Sequence, residues 1–176
     1  MILAVEKVPS TVLTAIAKPV KAFDTKLHKL IADMGDTLRA AHDPEGVGLA
    51  APQVGVSLAV FITRPDKRAK IRAYINPQII KSEGVSESKK NGPKTTLEGC
   101  LSVDRIWSPL ARPQKVLLSY QTPEGNKQEE WFEGFKAVIV QHEVDHLNGV
   151  LFTARAMEQN AKLFEERDGA FEELSI

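Results

Sequence analysis

The sequence predicts an α+β fold: antiparallel sheets packed around one central helix, with an N-terminal and a C-terminal helix beside them. Two observations carry this reading. Strand-like stretches come in runs, without the strand–helix alternation that a parallel sheet needs. Apolar residues at helical spacing across residues 134–150, GFKAVIVQHEVDHLNGV, mark a helix late in the chain. No internal repeat and no linker divides the 176 residues, so 1–176 is expected to be one domain.

The elements follow in order. Residues 1–19 are apolar and spotted with Thr and Ser, with Pro9 and Pro19 as breakers, and are expected to wrap the surface as extended chain and turn. Residues 24–42 read as an amphipathic helix, capped by Asp24, with Leu27, Leu30, Ile31, Met34, Leu38 and Ala41 on one stripe. His28 and His42 lack the spacing of a ligand pair and read as surface histidines. Residues 43–56, DPEGVGLAAPQVGV, are too rich in Gly and Pro for a stable helix or an ordinary strand. Residues 57–63 and 72–80 are strand candidates, the second set at an edge or bent because of Asn76-Pro77. Residues 81–96 read as an exposed polar loop, and 104–113 as irregular chain. Residues 115–120 and 128–132 flank the turn Pro123-Glu124-Gly125-Asn126 and predict an antiparallel hairpin. High helix propensity over 154–173, with Met157, Ala161 and Phe164 at helical spacing, predicts the C-terminal helix.

Composition narrows the function classes. Lys plus Arg (23) equals Asp plus Glu (23), so no global field favours nucleic acid or an anionic membrane. No apolar run approaches the length of a membrane span, and the N-terminus lacks the pattern of a signal peptide. Cys100 is the only cysteine, which excludes a disulfide within the chain and points to a reducing compartment, the cytoplasm. Walker-type and dinucleotide-binding glycine patterns are absent, and a zinc nucleobase deaminase would need paired cysteines.

The chemistry is concentrated in the central helix. His142-Glu143-Val144-Asp145-His146 is an H-E-x-x-H pattern. Histidines four apart lie one above the other on a helix, so both imidazoles reach one metal ion. Glu143 then stands beside the metal, placed to take a proton from a bound water. Phe135, Val138 and Ile139 share the histidine face. Two histidines are an incomplete set, since a catalytic site usually has three protein ligands and one open position. Glu165 or Glu166, on the expected C-terminal helix, completes it in the manner of thermolysin-type peptidases; Cys100, as a thiolate, completes it otherwise.

Three stretches together resemble the signature motifs of the peptide deformylase family, in the family's order. They are Gly46-Val47-Gly48-Leu49-Ala50-Ala51-Pro52-Gln53, Glu98-Gly99-Cys100-Leu101-Ser102 and Gln141-His142-Glu143-Val144-Asp145-His146-Leu147-Asn148-Gly149. The resemblance implies that Cys100, His142 and His146 hold the metal and that Glu165 and Glu166 are ordinary charges. It implies Fe(II) as the native ion, with Zn(II), Ni(II) or Co(II) as replacements. It implies removal of the formyl group from the formylmethionine of newly made polypeptides, with the ribosome near its exit tunnel as a further partner. In that reaction Glu143 is the base, and the Gln53 side-chain amide and Leu101 backbone N–H stabilise the oxyanion.

Other roles follow from the chemistry beside that resemblance. Gly48 is expected to offer a backbone edge to the peptide, and Val47, Phe135, Val138 and Ile139 to wall an apolar methionine pocket. Glu98 and Asp145 are candidates to orient the histidines, with Arg112 neutralising one of them. The chain departs from the family at Asp104, where a proline is common, and near Trp107, where an arginine is common. Contacts beyond the methionine are therefore expected to differ. A thermolysin-type peptidase and a non-enzymatic metal-stabilised protein are the competing readings; Glu143 speaks against the second, because a purely structural site has no need of it.

Overall fold

The computed structural model describes residues 1–84 and 97–174. Nine strands and three α-helices are assigned among them. The N-terminal segment runs over the surface as extended chain with one 3-10 turn, Thr11–Thr14, that buries Leu13 completely. Helix α1 is Thr25–Ala40. Asp24 caps it as expected, its carboxylate accepting from the backbone N–H of Lys26 at 3.0 Å and Leu27 at 3.1 Å. His28 and His42 are exposed.

Strands β1 (Gly48–Ala50), β2 (Val60–Thr63), β3 (Arg72–Glu83), β6 (Lys115–Gln121) and β7 (Lys127–Glu133) form an antiparallel sheet in the order β1-β2-β3-β6-β7. Helix α2, Phe135–Leu147, packs on one face of it and α1 on the other. Alternation along the strands divides the core between them. Phe61, Tyr74, Val116 and Leu118 meet Ala137, Val140, Val144 and Leu147 of α2. Val60, Ile62 and Ile75 meet Leu27, Met34 and Leu38 of α1. A second sheet, in the order β4-β5-β8-β9, is built from Glu98–Cys100, Val103–Ser108, Phe164–Arg167 and Ala170–Glu173.

Several expectations are corrected. The C-terminal helix is only α3, Phe152–Glu158; the chain then forms the β8–β9 hairpin. Asn160, at φ 51°, leaves the helical conformation just past Glu158, and the following chain pairs with β5 and turns back at Asp168-Gly169. Both residues have positive φ, 49° and 79°, as a two-residue hairpin turn requires, and Asp-Gly is a pair suited to it. Strand β3 is internal to its sheet, between β2 and β6, and tolerates Pro77 because the register shifts between Ile75 and Gln78. Asn76 stands in that bulge at φ 49° and ties it to residue 20 through hydrogen bonds to both the N–H and the C=O of Val20. The stretch expected to be irregular after the second motif contains β5, Val103–Ser108. The Gly-rich stretch contains the short strand β1 and a 3-10 turn, Ala51–Val54. Of the expected loop 81–96, residues 81–83 belong to β3, and 85–96 lie outside the described residues.

Candidate metal centre

A single residue, Gly134, separates helix α2 from β7, so its start is tied to the sheet, and Gly134 N–H donates to the Gln114 carbonyl at 2.9 Å. From Gln141 to Leu147 every residue is buried. A helix covered all round in this way has one face on the sheet and the other in the interior. His142, Glu143 and His146 occupy the second face, with Val138 and Ile139 a turn earlier.

Cys100 ends β4 and reaches the same point. Its Sγ lies 3.2 Å from His146 Nε2, which lies 3.2 Å from His142 Nε2. The three donor atoms lie within 4.8 Å of one another. Tetrahedral ligation at ordinary Zn–N and Zn–S lengths separates donors by about 3.3–3.6 Å. The cluster thus fits a single first-row cation, and its soft sulfur and two imidazoles are a donor set for Fe(II) or Zn(II). Among the described residues this is the only such group of His, Cys, Asp and Glu. Glu165 and Glu166 are not in it; they lie on β8, where Glu165 accepts from Arg167 and Glu166 from Trp107.

A buried polar network orients the cluster. Glu98 Oε1 lies 2.6 Å from His142 Nδ1, leaving Nε2 for the cluster. Arg112 holds Glu98 with two bonds, of 2.6 and 2.8 Å, and reaches Asp145 at 2.9 Å. Arg155 adds a 2.7 Å bond to Asp145. Arg112 therefore joins both expected carboxylates rather than one. Burial alone would raise Glu98, but Arg112 and His142 hold it down at about 2. Burial likewise pushes the Cys100 thiol up, and His146 and His142 pull it well below the usual thiol range. Burial would lower His142; its bonds to Cys100 and Glu98 raise it well above the ordinary imidazole value instead.

Glu143 differs from Glu98 in having no cation clamped to it. Burial lifts its carboxyl to about 7, against the lowering influence of His142 and His146. Its Oε2 has no hydrogen-bond partner, and neither does His146 Nδ1. Gly48 on β1 packs directly against it, so closely that a Cβ there would collide with the Glu143 carboxylate. The first motif therefore needs glycine at this position for steric reasons. Gln53 is almost fully buried, with its Oε1 accepting from Ala50 N–H at 2.8 Å. That bond turns its Nε2 toward Cys100 Sγ (3.5 Å) and Ser102 Oγ (3.2 Å). Leu101 follows Cys100, and its carbonyl is held by Lys7 at 2.7 Å. Lys7 also pairs with Asp104.

These groups open onto a cavity of about 820 Å³. Val47, Gly48, Gln53, Leu101, Val138 and Ile139 line it, as does Phe135, which is half exposed and stands at its mouth. All expected site residues except His146 reach its wall; His146 is 1% exposed and lies behind the others. The sequence reading missed Trp107 as a cavity wall, Ser102 as a Gln53 partner and Arg155 as an Asp145 partner. The Asp-Gly pair at 168–169, flanked by Phe and Glu on both sides, was the available signal for the hairpin that supports Trp107.

The family model described as Polypeptide deformylase matches residues 2–162. The chain belongs to the polypeptide deformylase family. The match ends two residues before β8. Peptide deformylase of Dictyoglomus turgidum is 35% identical over 167 residues, covering 95% of this chain and all of the relative. The crystal structure of peptide deformylase from Thermotoga maritima superposes with a TM-score of 0.75 at 37% identity, covering 88% of this chain and 97% of that one. A Met-Ala-Ser-bound class I type b peptide deformylase from Acinetobacter baumannii gives 0.76 at 36% identity, covering 88% and 98%. The chain is thus a deformylase-type enzyme with the family's α+β fold. None of its helices among the described residues is long and apolar enough to cross a membrane.

Proposed function

We propose that this deformylase hydrolyses the formyl amide of formylmethionine at the start of new polypeptides, using Cys100, His142 and His146 as metal ligands and Glu143 as proton carrier. The observation that carries the reading is the meeting of the Cys100 thiol and two Nε2 atoms beside a buried carboxylate with an unpartnered oxygen. A cation bound there would supply Lewis-acid activation of water and of the formyl carbonyl. Fe(II) is the proposed resident ion, with Zn(II), Ni(II) and Co(II) as replacements.

The chain's own groups do the rest. Glu143, buried with one carboxylate oxygen unpartnered, takes a proton as water adds to the formyl carbon. The Gln53 Nε2–H and the Leu101 N–H donate to the oxygen that becomes negative. The C–N bond then breaks, Glu143 returns the proton to the leaving amine, and formate departs. β1 is an edge strand of the large sheet and β4 an edge strand of the small one, and Gly48 and Gly99 on them both line the cavity. An extended peptide pairs with such an edge through backbone alone, which suits a substrate of any sequence. Val47, Val138, Ile139 and Phe135 receive the methionine side chain. The relative that binds Met-Ala-Ser supports a peptide ligand beginning with methionine. We place the enzyme in the cytoplasm as one domain over 1–176, meeting its substrate at the ribosome. The test is deformylation of a formyl-Met peptide by anaerobically purified protein and by Glu143→Gln. That variant is expected to keep its metal and lose about 10²–10⁴-fold in turnover; full activity in it would remove Glu143 from the mechanism.

A further inference from the structure

One wall of the cavity takes no part in the hydrolysis. Trp107 on β5 lines it. The residue pairs with Gly99 across β4 and β5, and a Cβ on Gly99 would lie 2.7 Å from its ring. Gly99 precedes Cys100, so the indole packed on it stands beside the reacting centre.

The ring is fixed from the outside by the C-terminal hairpin. Its Nε1–H donates to Glu166 Oε2 at 3.0 Å. Phe171 meets it edge-on, with centroids 5.9 Å apart and planes at 87°. Phe164 pairs with Trp107 across β5 and β8. Two residues of one hairpin, Glu166 and Phe171, therefore touch one indole while Phe164 pairs with its backbone, and all three follow the segment that the family model matches. Because the N–H is already engaged by Glu166, what the ring offers the cavity is a flat apolar face. Such a face favours apolar and aromatic side chains over polar ones.

We propose that Trp107 is a specificity-determining residue that takes apolar or aromatic side chains just downstream of the formylmethionine, and that the β8–β9 hairpin positions it. This rests on the deformylase reading. A peptide with its methionine at the Val138–Ile139 end and its backbone along β4 passes Gly99, and its following residues meet the indole. Glu166 and Phe171 are positioning residues: they touch the ring and not the substrate.

The test compares formyl-Met-Leu-Phe with formyl-Met-Ser-Ser in the wild type, Trp107→Ala, Trp107→Phe and Glu166→Ala, with metal content measured in each. The wild type is expected to prefer the apolar peptide, chiefly through KM. Trp107→Ala is expected to lower that preference by about fivefold, the size of a lost aromatic contact. Trp107→Phe should retain most of it, and Glu166→Ala should lose part of it by freeing the ring. A general structural defect lowers both peptides equally and leaves their ratio alone, so an unchanged ratio in Trp107→Ala and Glu166→Ala overturns the proposal. A wild type that prefers the serine peptide overturns it too. Failure to cleave either peptide would instead overturn the deformylase reading, and this inference with it.

Discussion

The five-stranded sheet is covered on both faces by α1 and α2, whereas the four-stranded sheet has a small apolar cluster and a last strand, β9, that is wholly exposed. The large sheet buries Phe61, Tyr74 and Phe132 in aromatic contact, with Phe61 and Tyr74 stacked at 4.7 Å. The small sheet joins α2 through polar groups: Glu98 with Arg112, Arg112 and Arg155 with Asp145, and Cys100 with the histidines. Apolar packing holds the first region whatever is bound. The second depends on charges that must be satisfied and on donor atoms that gather around a cation. The scaffold of the site is therefore expected to hold without metal, and β4, which carries Cys100, is expected to need it.

Metal removal tests that contrast with the largest expected effect. Under a chelator, amide protection in β4, β5 and β8 should fall by orders of magnitude, while β2 and β6 keep theirs. Equal loss in both sheets would erase the distinction. Next comes Arg112→Ala, which leaves the buried Glu98 carboxylate without its clamp. Its cost should be about 3–5 kcal/mol in urea unfolding. The pH dependence has a definite sign. Glu98 is depressed from 4.5 to about 2, so its contribution is complete above 4.5 and is lost as pH falls toward 2. Arg112→Ala should move that acid loss to higher pH. Smaller still is Gly48→Ala on the large-sheet side. The added methyl displaces Glu143, and misplacement of that kind costs about 10²-fold in turnover while metal content holds.

The same contrast explains what the sequence made legible. Helix α2 and its ligand spacing were readable because four residues along a helix fix which face a side chain takes. The Asp24 cap and the β6–β7 hairpin were readable for similarly local reasons. The small sheet was not, because its order brings β8 beside β5 across 56 residues or more of chain. Local propensity over 154–173 favours helix, and pairing with Ile106 and Trp107 overrides it. The third ligand had the same difficulty. Cys100 and a helical Glu165 or Glu166 were both open by spacing; the family resemblance chose Cys100, and the converging strands bring it to the histidines while β8 carries the two glutamates elsewhere. Gln53 was read as an oxyanion donor through family resemblance; its orientation depends on the Ala50 N–H, which no pattern of side chains reports.

The central claim is that Cys100 completes the ligand set begun on α2. Metal stoichiometry of anaerobically purified wild type and Cys100→Ala tests it most directly. About one ion per wild-type chain is expected, with near-complete loss in the variant, whose fold is followed by exchange protection in β2 and β6. A folded Cys100→Ala protein that retains a full equivalent of metal would contradict it.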